Sequence, residues 1–111
     1  MISDSYNAQS GATTDVTTGE LPGRKNPKGY TQPVRVLQDT LGLRTDEGRA
    51  MLQIIHDVAP GAELLFHSTG NTEEDFAVAV NALVQAGADI IVDDIGFRAR
   101  PCFKMEWRPK R

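Results

Sequence analysis

Apolar positions in this chain fall into short blocks separated by polar stretches that carry glycine and proline. Met1-Ile2-Ser3 runs straight into Asp4, as the end of a strand does. Residues 8–32 are rich in Gly, Thr, Asn, Pro and Lys and hold no steady period, which predicts a long surface loop. Val34-Arg35-Val36-Leu37 reads as a short strand. The spacing then predicts a helix over 46–58. Thr45 or Asp46 caps it, Glu47 suits its first turn, and Ala50, Met51, Ile54, Ile55 and Val58 form its apolar face. Pro60-Gly61 ends that helix and 62–67 reads as a strand. A second helix is predicted over 72–86. Thr72 is its cap, Glu73, Glu74 and Asp75 face the positive end of its dipole, and Phe76, Val80, Leu83 and Val84 are its buried stripe. Gly87 is a natural stop, and Asp89-Ile90-Ile91-Val92 resembles a buried parallel strand reaching to about residue 93.

This alternation predicts an α/β fold: a partial parallel sheet with flanking helices, joined by right-handed crossovers. Ligands of such sheets bind beyond the carboxyl ends of the strands. Asp4, Asp93 and Asp94 fall at such ends, and Glu47 opens a helix.

Composition narrows the picture. With 40% hydrophobic and 24% charged residues, the 111-residue chain has the balance of an ordinary globular domain. No run approaches the ~20 apolar residues of a membrane span, and no signal peptide is visible, so the sequence assigns no compartment. One cysteine, Cys102, excludes an intrachain disulfide or a thiolate metal cluster. The net charge of −3 hides an asymmetry: residues 1–96 hold six basic and fourteen acidic side chains, whereas 97–111 hold six basic and one acidic. A basic tail suits nucleic acid or acidic surfaces. This one lacks any period and contains Pro101 and Pro109, so it is expected to be a disordered or non-native extension of a domain over 1–96, with no nucleic-acid or membrane partner.

Three segments carry a family resemblance. Ile2-Ser3-Asp4-Ser5 resembles the strand end that bears the catalytic aspartate of subtilisin-like serine peptidases. Asp46-Glu47-Gly48-Arg49-Ala50-Met51, followed by Ile54 through Ala59-Pro60-Gly61-Ala62, resembles the subtilase helix that starts at the catalytic histidine. Ala88-Asp89-Ile90-Ile91-Val92-Asp93-Asp94-Ile95-Gly96 resembles the strand that lines the substrate cleft. The resemblance implies a serine-type endopeptidase lineage acting on peptides or proteins without a cofactor or metal. It implies Asp4 and Glu47 as the catalytic pair, and Asp94 and Gly96 in the cleft. Full-length relatives are often secreted.

The departures shape the chemistry. Where subtilases read His-Gly-Thr, this chain has Glu47-Gly48-Arg49. A glutamate there is similar to the sedolisins, which use a Ser-Glu-Asp arrangement. Sedolisins place the aspartate one helical turn later, however, and that position here is Met51. Glu47 is therefore expected to pair with Asp4. Two neighbouring carboxylates do not readily both ionise, so one keeps its proton to higher pH, while the helix N-terminus pulls the other way. The family's Gly-Thr-Ser-x-Ala nucleophile segment is missing, since the serines are Ser3, Ser5, Ser10 and Ser68. The chain is thus expected to be a truncated fragment, inactive alone, whose Asp89–Val92 strand leaves an apolar sheet edge open to self-association.

The other readings are plainer. Asp4 alone suits a strand-end turn and Glu47 a dipole-compatible first turn. His56 is expected to serve the negative end of its helix, and His67 has no partner visible in sequence. The alternative function is a small α/β binding or Mg²⁺-dependent phosphotransfer-like module, with Asp4, Asp93 and Asp94 as oxygen ligands.

Overall fold

The structure is a computed structural model and describes residues 1–40, 42 and 44–95. Gly96 and the 97–111 tail lie outside the described residues. Three strands, β1 (Ile2–Ser3), β2 (Arg35–Gln38) and β3 (Leu65–Ser68), alternate with three helices, α1 (Ala12–Thr17), α2 (Glu47–Val58) and α3 (Glu73–Gln85). The strands form one parallel sheet in the order β1-β3-β2. Beyond β1, the Ile2 amide donates to the Val92 carbonyl oxygen at 2.8 Å, and Ile2 bridges Asp93 in parallel. The expected α/β fold is thus present, with strands and helices close to their predicted places.

Side-chain alternation along β3 divides the core into two layers. Leu64 and Phe66 join Met1, Tyr6, Leu21 and Leu52 on one face, with Met51 and Ile55 of α2 against them. Leu65 joins Ile2, Ala79 and Leu83 on the other face, with Phe76 and Val80 of α3. Helices α2 and α3 therefore cover opposite faces. Both crossovers step the same way across the sheet, since β2-α2-β3 moves toward β1 and β3-α3-Asp93 moves on past it. Helices on opposite faces therefore mean that the two crossovers have opposite hand, and the expected right-handedness holds for only one of them.

Four expectations need correction. Residues 8–32 are not without an element, because α1 lies within them. Their polar composition hides the anchors: Leu21 is fully buried, Val16 and Ala12 pack on the core, and Arg49 of α2 pins the segment from below. The apolar face of α2 is also rotated. Gly48, Leu52 and His56 are buried, while Ile54 is 58% and Val58 82% exposed. The glycine explains the rotation, because the helix approaches Phe66 most closely where it has no side chain. Third, Asp46 is the N-cap residue of α2 but its side chain makes no capping hydrogen bond. The Asp46 carboxylate instead accepts from the Gln9 amide and pairs with Arg49. Last, Asp89–Val92 is no buried strand. It reaches the sheet only through the Val92–Asp93 contacts, with Ile91 packed on the α3 layer and Ile90 81% exposed.

Helix α3 follows its sequence signals closely. Thr72 Oγ1 accepts from the Asp75 amide at 3.1 Å, satisfying one of the first-turn donors. Its stripe is centred on Ala79 and Leu83, leaving Val84 46% exposed. Thr72→Ala should cost about 1 kcal/mol. Urea unfolding should show a lower midpoint with an unchanged slope, since the surface exposed on unfolding stays the same.

Candidate active site

Asp4 leaves β1 at the carboxyl end of the sheet, Glu47 opens α2, and the charges of Asp4 and Asp94 both act on Glu47. Asp4 follows β1 directly. Its Oδ1 accepts from the Ser5 amide at 2.8 Å and the Ser3 hydroxyl at 3.4 Å, and its Oδ2 accepts from the Thr45 amide at 2.9 Å and the Thr45 hydroxyl at 2.7 Å. The end of β1 is thereby fastened to the residues that lead into α2. Arg44, in the same lead, donates through Nη1 to the carbonyl oxygens of Asp4 and Thr69, which ties the exits of β1 and β3 together.

Glu47 is the first residue of α2, and Gly48 sets how close the helix comes. A Cβ on Gly48 would stand 2.4 Å from Phe66 Cε1 and 2.6 Å from the Ser5 carbonyl oxygen. Contacts that short are forbidden, so glycine lets the helix end sit on the β1 exit. The turn after β1 is rigid for its own reason. The Asp39 carboxylate accepts from the Tyr6 and Asn7 amides and the Ser5 hydroxyl at 2.8–3.0 Å.

Asp94 completes the group from the segment after α3. Both of its carboxylate oxygens are buried, and neither has a hydrogen-bond partner among the described residues. The negative charge of Asp94 is the main reason that Glu47 holds its proton above the ordinary carboxyl range, with desolvation adding to the effect and the charge of Asp4 adding least. Neighbouring negative charge thus outweighs the pull of the helix dipole on this exposed glutamate.

Of the two negative charges that act on Glu47, Asp94 has the larger effect and Asp4 the smaller. Sequence reasoning had placed Asp94 in the cleft through the resemblance alone. Thr45 and Gly48 were missed as positioning residues. The adjacency of Thr45 to a helix start was a signal for the first, and a glycine inside a helical pattern for the second. Asp93 does not join the group, since its Oδ1 accepts from the Ile95 amide at 3.3 Å. His56 stands in the last turn of α2, as expected, and is buried there edge-on to Tyr30 with ring centroids 5.3 Å apart. His67 hydrogen-bonds through Nδ1 to the Ser68 carbonyl oxygen. Among the described residues no group of three or more His, Cys, Asp or Glu side chains is arranged to hold a metal ion, and no helix is long and apolar enough to cross a membrane.

A carboxyl group that keeps its proton unusually well, beside an ion held by fixed donors, is suited to general acid–base work. No protein family, curated protein or solved structure matches the chain.

Proposed function

We propose that this chain carries the acid–base side of a serine-type peptidase site of the subtilase and sedolisin lineage, with Asp4 and Glu47 as the charge-relay pair and a peptide or protein as the substrate class. The observation that carries the reading is the meeting of the β1 exit and the α2 start, where Thr45 clasps Asp4 and Gly48 seats Glu47 next to it. In this arrangement Glu47 takes the proton of a serine hydroxyl, and Asp4 holds the lead of its helix in place. Its raised proton affinity brings a carboxyl base closer to the working range that proton transfer needs.

The nucleophile is not among the serines of these 111 residues. Ser3, Ser5 and Ser68 are buried, with the Ser5 hydroxyl bonded to Asp39 and that of Ser68 to Thr40. Ser10 is exposed, but it lies in the segment pinned by Arg49, which takes its carbonyl oxygen. The chain alone should therefore give no labelling with a fluorophosphonate probe, and labelling at any of the four serines would contradict this assignment. The lineage itself is tested in the gene. Reading the DNA downstream of codon 96 in the other two frames should reveal a Gly-Thr-Ser-x-Ala segment, and its absence there counts against the peptidase lineage.

A further inference from the structure

At the amino end of the sheet, away from Asp4 and Glu47, the chain leaves a groove of about 420 Å³. Its walls come from α2 (Leu52, Ile55), the start of β3 (Leu65) and the segment after α3 (Ala88, Ile90, Val92). Ile90 is 81% exposed within it, an apolar surface of the kind that marks a contact site. The polar part of the lining is one-sided. Among the described residues its charged side chains are Glu63 and Asp89. Ala59 and Ala86, which end α2 and α3, bring the negative ends of two helix dipoles to the same groove, and α3 has no basic side chain in its last turn. Arg35 meets Glu63 at 3.5 Å, but no described residue pairs with Asp89. The Met1 ammonium is engaged by the Leu65 carbonyl oxygen at 2.8 Å. The groove thus suits a segment that is both apolar and basic.

We propose that the groove is covered by this chain's own residues 97–111, which lie outside the described residues. Six basic side chains and one acidic one give that segment the charge that the groove and the acidic 1–96 portion call for. The tail has no period over its full length, but Phe103-Lys104-Met105-Glu106-Trp107-Arg108 alternates apolar and charged, so that in an extended chain Phe103, Met105 and Trp107 share one side. Reach is ample. Ile95 is three residues past Val92 of the groove, and fifteen extended residues span roughly 50 Å. A tethered segment also has an effective concentration on the order of mM, which favours it over a second copy of the chain. The tail then shields Ile90, instead of being the loose extension that its composition suggests. This docking is independent of the peptidase reading.

The probes are built in, because the chain has one tryptophan, Trp107, and one cysteine, Cys102. Trp107 emission in the full chain should lie to the blue of its value in concentrated urea, resist quenching by acrylamide and stay constant on dilution. Ile90→Lys and Asp89→Lys change exposed positions of the groove and should each move the emission toward the urea value while far-ultraviolet circular dichroism holds. Emission at the urea value in the native chain overturns the proposal, as does blue emission that neither substitution moves. Blue emission that reddens on dilution gives the groove to a second copy and equally overturns it. A benzophenone on Cys102 needs no substitution, so it decides the matter even where a variant does not fold. On illumination of the monomer it should join to peptides that hold 59–65 or 86–92, and cross-links that avoid both overturn the proposal.

Discussion

Gly48→Ala should destabilise the chain by ~1–3 kcal/mol or more, although the same change in an ordinary helix stabilises. Alanine exceeds glycine in helix propensity by about 1 kcal/mol, so an exposed site would gain stability. Here the added methyl meets the ring of Phe66, which is fully buried, and the backbone oxygen of Ser5, which is held by the Asp39 clasp next to it. Neither neighbour has room to yield. Overpacking of this kind costs ~1–3 kcal/mol and more when backbone must move, and at this size each kcal/mol lowers the melting temperature by roughly 4–8 °C. Circular dichroism melts of the two proteins decide the matter. A second substitution, Phe66→Leu, should recover part of the loss in the Gly48→Ala background although it costs stability alone, a coupling that a double-mutant cycle measures. An unchanged or raised melting temperature for Gly48→Ala alone would mean that the helix does not sit this close.

Arg49→Ala should be about as damaging, through charge instead of volume. The guanidinium bonds Asp15 at 2.8 Å and Asp46 at 3.0 Å, and also donates to the Tyr6 and Ser10 carbonyl oxygens and to Asn7 Oδ1. Its side chain is only 12% exposed, so its removal leaves Asp15 with Gln53 and Asp46 with the Gln9 amide but without a positive partner, and leaves two carbonyl groups without their donor in a poorly hydrated place. Breaking a buried ion pair from one side costs about 3–5 kcal/mol. The loss should show as a lower melting temperature together with rapid proteolytic cleavage within residues 8–32. Arg49→Lys keeps the charge but not the planar fork, and should fall between the two proteins. Cleavage confined to other segments in Arg49→Ala would show that α1 and its loop hold themselves in place.

The comparison of pattern with structure turns on which positions lack a side chain or carry a long polar one. Helix α3 was legible because its signals are local: a threonine cap, three acids in the first turn and a terminal glycine lie within reach of the helix itself. The extent of α2 was legible for the same reason, but its buried face was not. A hydrophobic pattern scores Ile54 and Val58 and passes over Gly48, whereas the packed face is the one where the helix fits closest to Phe66. The long polar segment hid α1 because its order comes from Arg49 and Leu21, each acting across many residues. At the site, Asp4, Glu47 and Asp94 were singled out through the three-segment resemblance. The effect of the Asp94 charge on Glu47 was not legible, because period and propensity do not report which charge at a strand exit lies near a helix start. The run Asp89–Val92 misled for the opposite reason, since its apolar composition suits a buried strand while only its end touches the sheet.

The order β1-β3-β2 also bears on how the chain acquires its shape while it is being made. Neither β1 nor β2 has the other as a neighbour, and both pair with β3, so no sheet hydrogen bond can form until Leu65–Ser68 has emerged from the ribosome. At ~5–20 residues per second, Ile2 and Ser3 wait on the order of 3–13 s for their partner. During that interval the Asp39 clasp on Tyr6 and Asn7, the Thr45 bonds to Asp4 and the Arg49 contacts are available to keep the exit of the first strand near that of the second. The central strand thus acts as a timing element: slowing the ribosome before Leu65–Ser68 has emerged lengthens the exposure of the first two strands, and slowing it after that leaves their pairing untouched.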